Sequence, residues 1–355
     1  MAPRAGRDDG PGRCHPRRAQ SLPRPRGLAA ADGSAHRGDP QDPGQSRLST
    51  ALPEFALSQA ERLELAAQLR GSNLVETKLT PALEADLDLC TAEERFIPTR
   101  AGDTRVVIVT PKSPARAPRP LFLNIHGGGF VRGYQRRDTV FCAHLASQLD
   151  AVVVDLDYRL APEHPFPTAL HEGYDIARWA VANAGALGAD PKRFALGGHS
   201  AGGNLTAAIC LMARDSGDFT PLGQLMSYPF LDGITPAEDK LEPHSIFPPA
   251  RLRAFSACYA GVEENLYNPL LSPILASDEA LTGLPPALIL TAGLDPLRFE
   301  ARKYAARLIA QGNDVTVRQY ADADHGFLIA CHTRFAEART EIVRWLSALF
   351  TDCVS

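Results

Sequence analysis

The stretch from Phe194 to Asn204 contains Gly198-His199-Ser200-Ala201-Gly202, a Gly-x-Ser-x-Gly pattern. A short apolar run, Phe194–Gly197, precedes it, and a helical run through Leu205 and Met212 follows. A serine on a tight strand-to-helix turn exposes its hydroxyl at the carboxyl edge of a sheet, and the flanking glycines let backbones approach closely. The helix N-terminus behind it favours developing negative charge. The pattern alone arises by chance in a glycine-rich chain. The strand before it and the helix after it make Ser200 a candidate nucleophile instead of a plain turn residue.

A serine hydroxyl needs a base to take its proton, and that base needs an orienting acid. In the α/β-hydrolase arrangement, which this strand–turn–helix serine resembles, the partners follow in the order serine, acid, histidine. Of the ten histidines, His325 and His332 follow all the plausible acids. His332 falls where the last helix should begin and reads better as a solvated residue. His325 lies in a polar loop directly after the strand candidate Val315–Tyr320, and loops at strand carboxyl ends carry the chemistry of parallel sheets. For the acid, Asp295 stands just past the apolar run Ala287–Thr291. An N-cap role there is physically sound and compatible with catalysis. Asp322 and Asp324 are too near His325 in sequence to be first choices, and Asp324 stays an alternative. A second signal is His126-Gly127-Gly128-Gly129-Phe130 after the run Leu121–Ile125. Consecutive glycines free the backbone to aim N–H groups inward, and such donors stabilise the oxyanion of acyl transfer. A phosphate cradle is the competing reading, but the Gly-Lys-Ser/Thr ending of such a loop is missing. His126 is expected to fix this loop by side-chain hydrogen bonds.

These residues need a scaffold, and the chain supplies the pattern of one. Strand candidates are 95–98, 105–110, 121–125, 151–156, 194–197, 223–227, 287–291 and 315–320. Several are continuous Val/Ile/Leu runs, as in strands covered on both faces. Helical patterns lie at about 137–149, 168–184, 201–215, 297–311 and 333–349. A hairpin-like pair followed by strand–helix alternation indicates an α/β protein with a central, mostly parallel, eight-stranded sheet. The expected division is a Pro/Gly/Arg-rich tail over 1–50, cap helices over 51–92, core over 93–229, a cap insertion over 230–283 and core again over 284–355. The insertion is rich in proline and lacks a clear sheet strand.

Composition narrows the partners. The 355 residues carry 37 Lys+Arg against 41 Asp+Glu, a net charge of −4, which gives no basic surface for nucleic acid. No apolar run approaches the ~18–20 residues of a membrane-spanning helix. Residues 1–50 hold seven Pro, seven Gly, nine Arg and no aromatic residue. Such a segment cannot bury enough apolar surface to offset its ordering entropy, so it is expected to be disordered. The seven cysteines are odd in number and none is at Cys-x-x-Cys spacing, which fits reduced thiols in a cytoplasmic protein.

Four ordered motifs resemble the hormone-sensitive-lipase-like branch of the α/β-hydrolases over roughly 90–350. They are HGGGF at 126–130, DYRLAPEHPFP at 157–167, GHSAGGN at 198–204, and DPLR at 295–298 before HGF at 325–327. The resemblance implies Ser200, Asp295 and His325 as the catalytic triad of a serine carboxylesterase. It implies an oxyanion hole from Gly128, Gly129 and Ala201, with Gly127 in the same loop, and a helical cap over the core. It also implies a small ester of short or medium acyl chain as substrate, with no metal or organic cofactor. Asp157 and Arg159 look like framework residues bracing the active-site loops. The alternatives are an amidase or peptidase with the same machinery, or a non-catalytic ligand receptor on this scaffold. A homodimer through a sheet edge or the last helix is compatible with such folds. Two departures stand out: His199 where many relatives carry Asp, and Phe299 where an acid is common.

Overall fold

In the computed structural model, the described residues are 55–72, 77, 79–240, 245 and 247–352. The tail over 1–50, expected to be disordered, lies outside them. In chain order the elements begin with helices α1 (Gln59–Gly71) and α2 (Pro81–Asp88), then strands β1 (Cys90–Thr99), β2 (Gly102–Pro111) and β3 (Arg119–Ile125). Helix α3 (Arg136–Leu149), β4 (Val152–Asp157), α4 (Thr168–Ala182), β5 (Ala189–His199), α5 (Ala201–Ser216) and β6 (Gln224–Ser227) follow. After α6 (Pro249–Ala260) and the short α7 (Asp278–Leu281) come β7 (Ala287–Ala292), α8 (Arg298–Ala310) and β8 (Val315–Tyr320). The short α9 (Phe327–Ala330) and α10 (Phe335–Asp352) complete the order.

The eight strands form one sheet in the order β1-β2-β4-β3-β5-β6-β7-β8. β2 runs antiparallel to β1 and β4, and every pairing from β4 to β8 is parallel. Side chains alternate across a strand, so the apolar runs feed two cores at once. On β3, Leu121, Leu123 and Ile125 join the core under α4, α5 and α8. Phe122, between them, joins the core under α3 and α10. This is the sheet buried on both faces that the Val/Ile/Leu runs indicate.

β1 differs from expectation: it starts at Cys90, five residues before the candidate at 95–98, inside a stretch read as helix. Most of its residues are exposed. An edge strand half in water carries little of the apolar pattern by which a strand is read.

The parallel order brings the carboxyl ends of β3, β5, β7 and β8 to one edge, and residues from 55–72 and from the 230–283 stretch lie over it. α1 is started by a capping box, in which Ser58 accepts from the Glu61 N–H and Glu61 accepts from the Ser58 N–H. Arg70 at its end donates to the carbonyls of Val131 (2.9 Å) and Ala161 (3.0 Å), fastening this layer to the loops after β3 and β4. Arg251 of α6 donates to Ser72 Oγ at 2.6 Å. Asn204 on α5 donates to the carbonyls of Phe230 and Leu271, 2.8 and 2.7 Å away, holding both sides of the insertion.

Candidate active site

Ser200 sits between β5 and α5 with φ 56° and ψ −115°, a backbone region that a residue with a Cβ rarely occupies. The surroundings over-determine this turn. The Ser200 N–H donates to Ser227 O (2.9 Å), and its carbonyl accepts from Asn204 N–H (3.1 Å). The flanking glycines are required by close approach. A Cβ at Gly198 would lie 2.5 Å from Ile125 O, and one at Gly202 only 1.9 Å from the same atom. The strained turn lifts the hydroxyl off the sheet edge toward His325.

Asp295 follows β7 and His325 follows β8, on neighbouring strands. The two loops are laced together by Gly293 N–H to Tyr320 O (2.8 Å) and Leu294 N–H to Ala323 O (3.0 Å). His325 bridges the other two residues, with Nδ1 2.8 Å from Asp295 Oδ2 and Nε2 2.9 Å from Ser200 Oγ. The second carboxylate oxygen of Asp295 accepts from Leu297 N–H at 2.9 Å, and the side chain is fully buried. Burial disfavours the charged imidazole, but the charge and hydrogen bond of Asp295 outweigh it, with smaller help from Asp324 and Glu300. The His325 pKa therefore stands above its ordinary value. Asp324 accepts from the His325 backbone N–H at 2.6 Å, not from the ring. Asp322 pairs with Arg334 (3.4 Å), and His332 is exposed just ahead of α10.

The glycine loop wraps over this group. Gly128 and Gly129 have φ 125° and 61°. A Cβ on Gly128 would lie 2.3 Å from Arg132 O, and one on Gly129 2.4 Å from the Phe255 ring. Among the described residues, the N–H groups of Gly128, Gly129 and Ala201 donate no hydrogen bond. Gly127, grouped with them on sequence, differs: its N–H donates to His199 Nε2 at 2.9 Å. That donor is committed to bracing the loop. His199 therefore serves the glycine loop and not the Ser200 hydroxyl, whose partner is His325. The His199 Nε2 is also 3.4 Å from the buried Asp138 carboxylate. Burial outweighs the pull of Asp138 and lowers the His199 pKa, favouring the neutral ring, and the Gly127 N–H sets the tautomer with its proton on Nδ1. His126 holds the loop as expected, with Nδ1 2.7 Å from Gly127 O and its ring stacked on Tyr158 at 4.2 Å.

Asp157 and Arg159 do not pair with each other. Asp157 accepts from Arg105 (3.0 Å), while Arg159 binds the buried Glu172 through its side chain and through its backbone N–H (2.7 Å). Phe299 lies half exposed on α8 under Arg298, whose guanidinium is 4.2 Å from the ring centroid. The side chains that wall the site went unread in the sequence. Phe247 and Tyr228 pack on His325 with ring centroids 4.8 and 5.0 Å away, and Phe255 closes over Gly129. Arg132 and Arg137 enter the same cleft. Among the described residues, no three His, Cys, Asp or Glu side chains gather to hold a metal ion, and no helix is long and apolar enough to cross a membrane.

A family model described as the alpha/beta hydrolase fold matches residues 122–329. The esterase LipI of Mycobacterium tuberculosis is 39% identical over 220 residues, 61% of this chain and 68% of that protein. An ethyl acetate hydrolase of Pseudomonas putida is 31% identical over 251 residues, 70% of this chain and 76% of that protein. Across the first four curated relatives, the matched region spans 57 to 68% of their length. The solved hyperthermophilic esterase from the archaeon Pyrobaculum calidifontis superposes with a TM-score of 0.70 at 32% identity, covering 82% of this chain and 98% of that one. The chain belongs to the α/β-hydrolase fold family, in its hormone-sensitive-lipase-like carboxylesterase branch.

Proposed function

We propose that the protein is a serine carboxylic-ester hydrolase that acts on small esters of short to medium acyl chain through an acyl-enzyme on Ser200. The observation that carries this reading is the bridge made by His325, within hydrogen-bond distance of both Ser200 Oγ and a buried carboxylate. In the proposed cycle, Oγ attacks the ester carbonyl as Nε2 takes its proton, and the imidazolium is stabilised by Asp295. The carbonyl oxygen becomes negative and is met by the N–H groups of Gly128, Gly129 and Ala201, with Gly127 and His199 holding the loop in register. Collapse breaks the carbon–oxygen bond, and His325 protonates the departing alkoxide. Water then repeats the sequence on the acyl-enzyme, and no step requires a metal or an organic cofactor.

The relatives named as esterases favour an ester over an amide as the bond cleaved. The assembled relay favours turnover over a receptor role. Beside Ser200 a pocket of ≈ 320 Å³, bounded by Phe130, Phe230, Leu252 and Leu297, suits an apolar acyl chain of modest length. In this reading, α1 and α6 belong to the cap that sets that limit, whereas Cys90–Ala92, counted with the cap helices on sequence, lie in β1 of the sheet. The five free cysteines among the described residues, four of them buried, fit a cytoplasmic location. A homodimer through the outer edge of β8, where Val317 is exposed, completes the proposal; light scattering at one chain mass would remove it. The test of substrate class is a panel of p-nitrophenyl esters from acetate to palmitate. Activity should peak among the short and medium chains, and a maximum at palmitate would overturn the size assignment.

A further inference from the structure

Two cavities meet at Ser200, and they differ in kind. The smaller, described above, presents apolar side chains almost throughout. The larger has ≈ 630 Å³ of free space open to solvent; it shares the apolar walls of Phe247 and Phe255 and adds the polar side chains of Arg132, Gln135, Arg137 and Asp138 beside His325. Arg132 is anchored to the oxyanion loop, because its backbone N–H donates to Gly128 O at 2.9 Å. Its guanidinium has no hydrogen-bond or ion-pair partner among the described residues. Arg137, in the first turn of α3, donates from Nη1 to Thr77 Oγ1 at 2.9 Å, while its Nε is buried without a partner. Arg251 approaches from α6, and its Nε is likewise buried and unpartnered.

The carboxylate in this cleft is already engaged. Asp138 accepts from Gln135 N–H at 2.8 Å and faces His199. Burial lowers the pKa of Arg132, and repulsion from Arg137 adds to it. Arg251 is lowered by burial and then by repulsion from Arg132. Arginines gathered in a half-buried cleft repel one another and lose hydration, and a bound carboxylate relieves both costs through charge-assisted, bidentate hydrogen bonds. The place of the cleft says which part of the substrate carries that group. The departing oxygen takes its proton from His325 Nε2, so the alcohol lies in the cavity that His325 lines. The apolar cavity includes Ala201 but not His325.

We infer that the preferred esters carry a carboxylate on the alcohol moiety, received by Arg132 with Arg137 beside it, while an apolar acyl chain fills the opposite pocket. This rests on the ester-hydrolase reading of Ser200.

The full chain is assayed by pH-stat with 4-(butanoyloxy)butanoate and with pentyl butanoate, its uncharged counterpart. The expected kcat/KM is about tenfold or more higher for the anion at low ionic strength, and the advantage shrinks as salt screens the charges. Arg132→Gln should lower the anion-to-neutral ratio by about tenfold, and Arg132→Lys should restore part of it. The wild-type ratio needs no variant to fold. A ratio near one that is insensitive to salt overturns the proposal, and so does faster cleavage of monopentyl glutarate, which carries its charge on the acyl side. If neither these esters nor p-nitrophenyl butanoate is cleaved, the ester-hydrolase reading fails and the inference falls with it.

Discussion

Asp295→Asn separates the shape of the relay from its electrostatics. The carboxylate has two fixed partners: Leu297 N–H, 2.9 Å from Oδ1, and His325 Nδ1, 2.8 Å from Oδ2. An amide of nearly the same size must keep its oxygen toward the Leu297 N–H, because two donors cannot face each other. Its NH₂ is then directed at His325 Nδ1. That nitrogen becomes the acceptor, the ring proton moves to Nε2, and Nε2 loses the lone pair that receives the Ser200 proton. In a relay of this type the exchange costs about 10⁴ in kcat, or roughly 5–6 kcal/mol of transition-state stabilisation. The assay is turnover of p-nitrophenyl butanoate, with thermal unfolding alongside to show that the buried site still packs. A folded variant whose kcat stays within about tenfold of wild type would refute the assignment of Asp295 as the orienting acid.

The pH profile should show the same relay. Neutral His325 is the active form, and its pKa is raised, so activity is lost as pH falls through a midpoint above the ordinary 6.5; a midpoint at or below that value in kcat/KM would contradict the Asp295 pairing. His199→Ala frees the Gly127 N–H and should lower kcat by as much as about 10²-fold through misplacement of the oxyanion loop. His199→Asn offers an acceptor again and should recover part of the loss, whereas wild-type kcat in the alanine variant would show that the brace is dispensable.

Much of this site is legible in the sequence because its members sit where strands end. The runs ending at Ile125, His199 and Ala292 are buried on both faces, so their apolar character is continuous and their ends are sharp, whereas β8 lies at the sheet edge and only its last residue, Tyr320, is buried. The glycines at 198 and 202 mark the turn because only a hydrogen fits against Ile125 O. Distance is what the sequence leaves open. Asp324 adjoins His325 in sequence, and only the direction of the His325 ring selects Asp295 over it. Gly127 was grouped with the donors because the direction of a backbone N–H depends on what faces it, here an imidazole 72 residues further along the chain. The pocket walls were unreadable for a related reason. Phe247 and Phe255 lie in an insertion without strand pattern, which Asn204 fastens to α5 and Arg251 ties to the end of α1. Arg132 carries no signal in the sequence, because what sets it apart is the proximity of Arg137 and Arg251, from two other elements.

Covalent trapping addresses Ser200 most directly. Incubation with a fluorophosphonate, followed by intact-mass and peptide mapping, should find one phosphonyl group on Ser200, with esterase activity lost in step with its attachment. Inactivation with the label on another residue, or undiminished turnover by Ser200→Ala, would contradict the account.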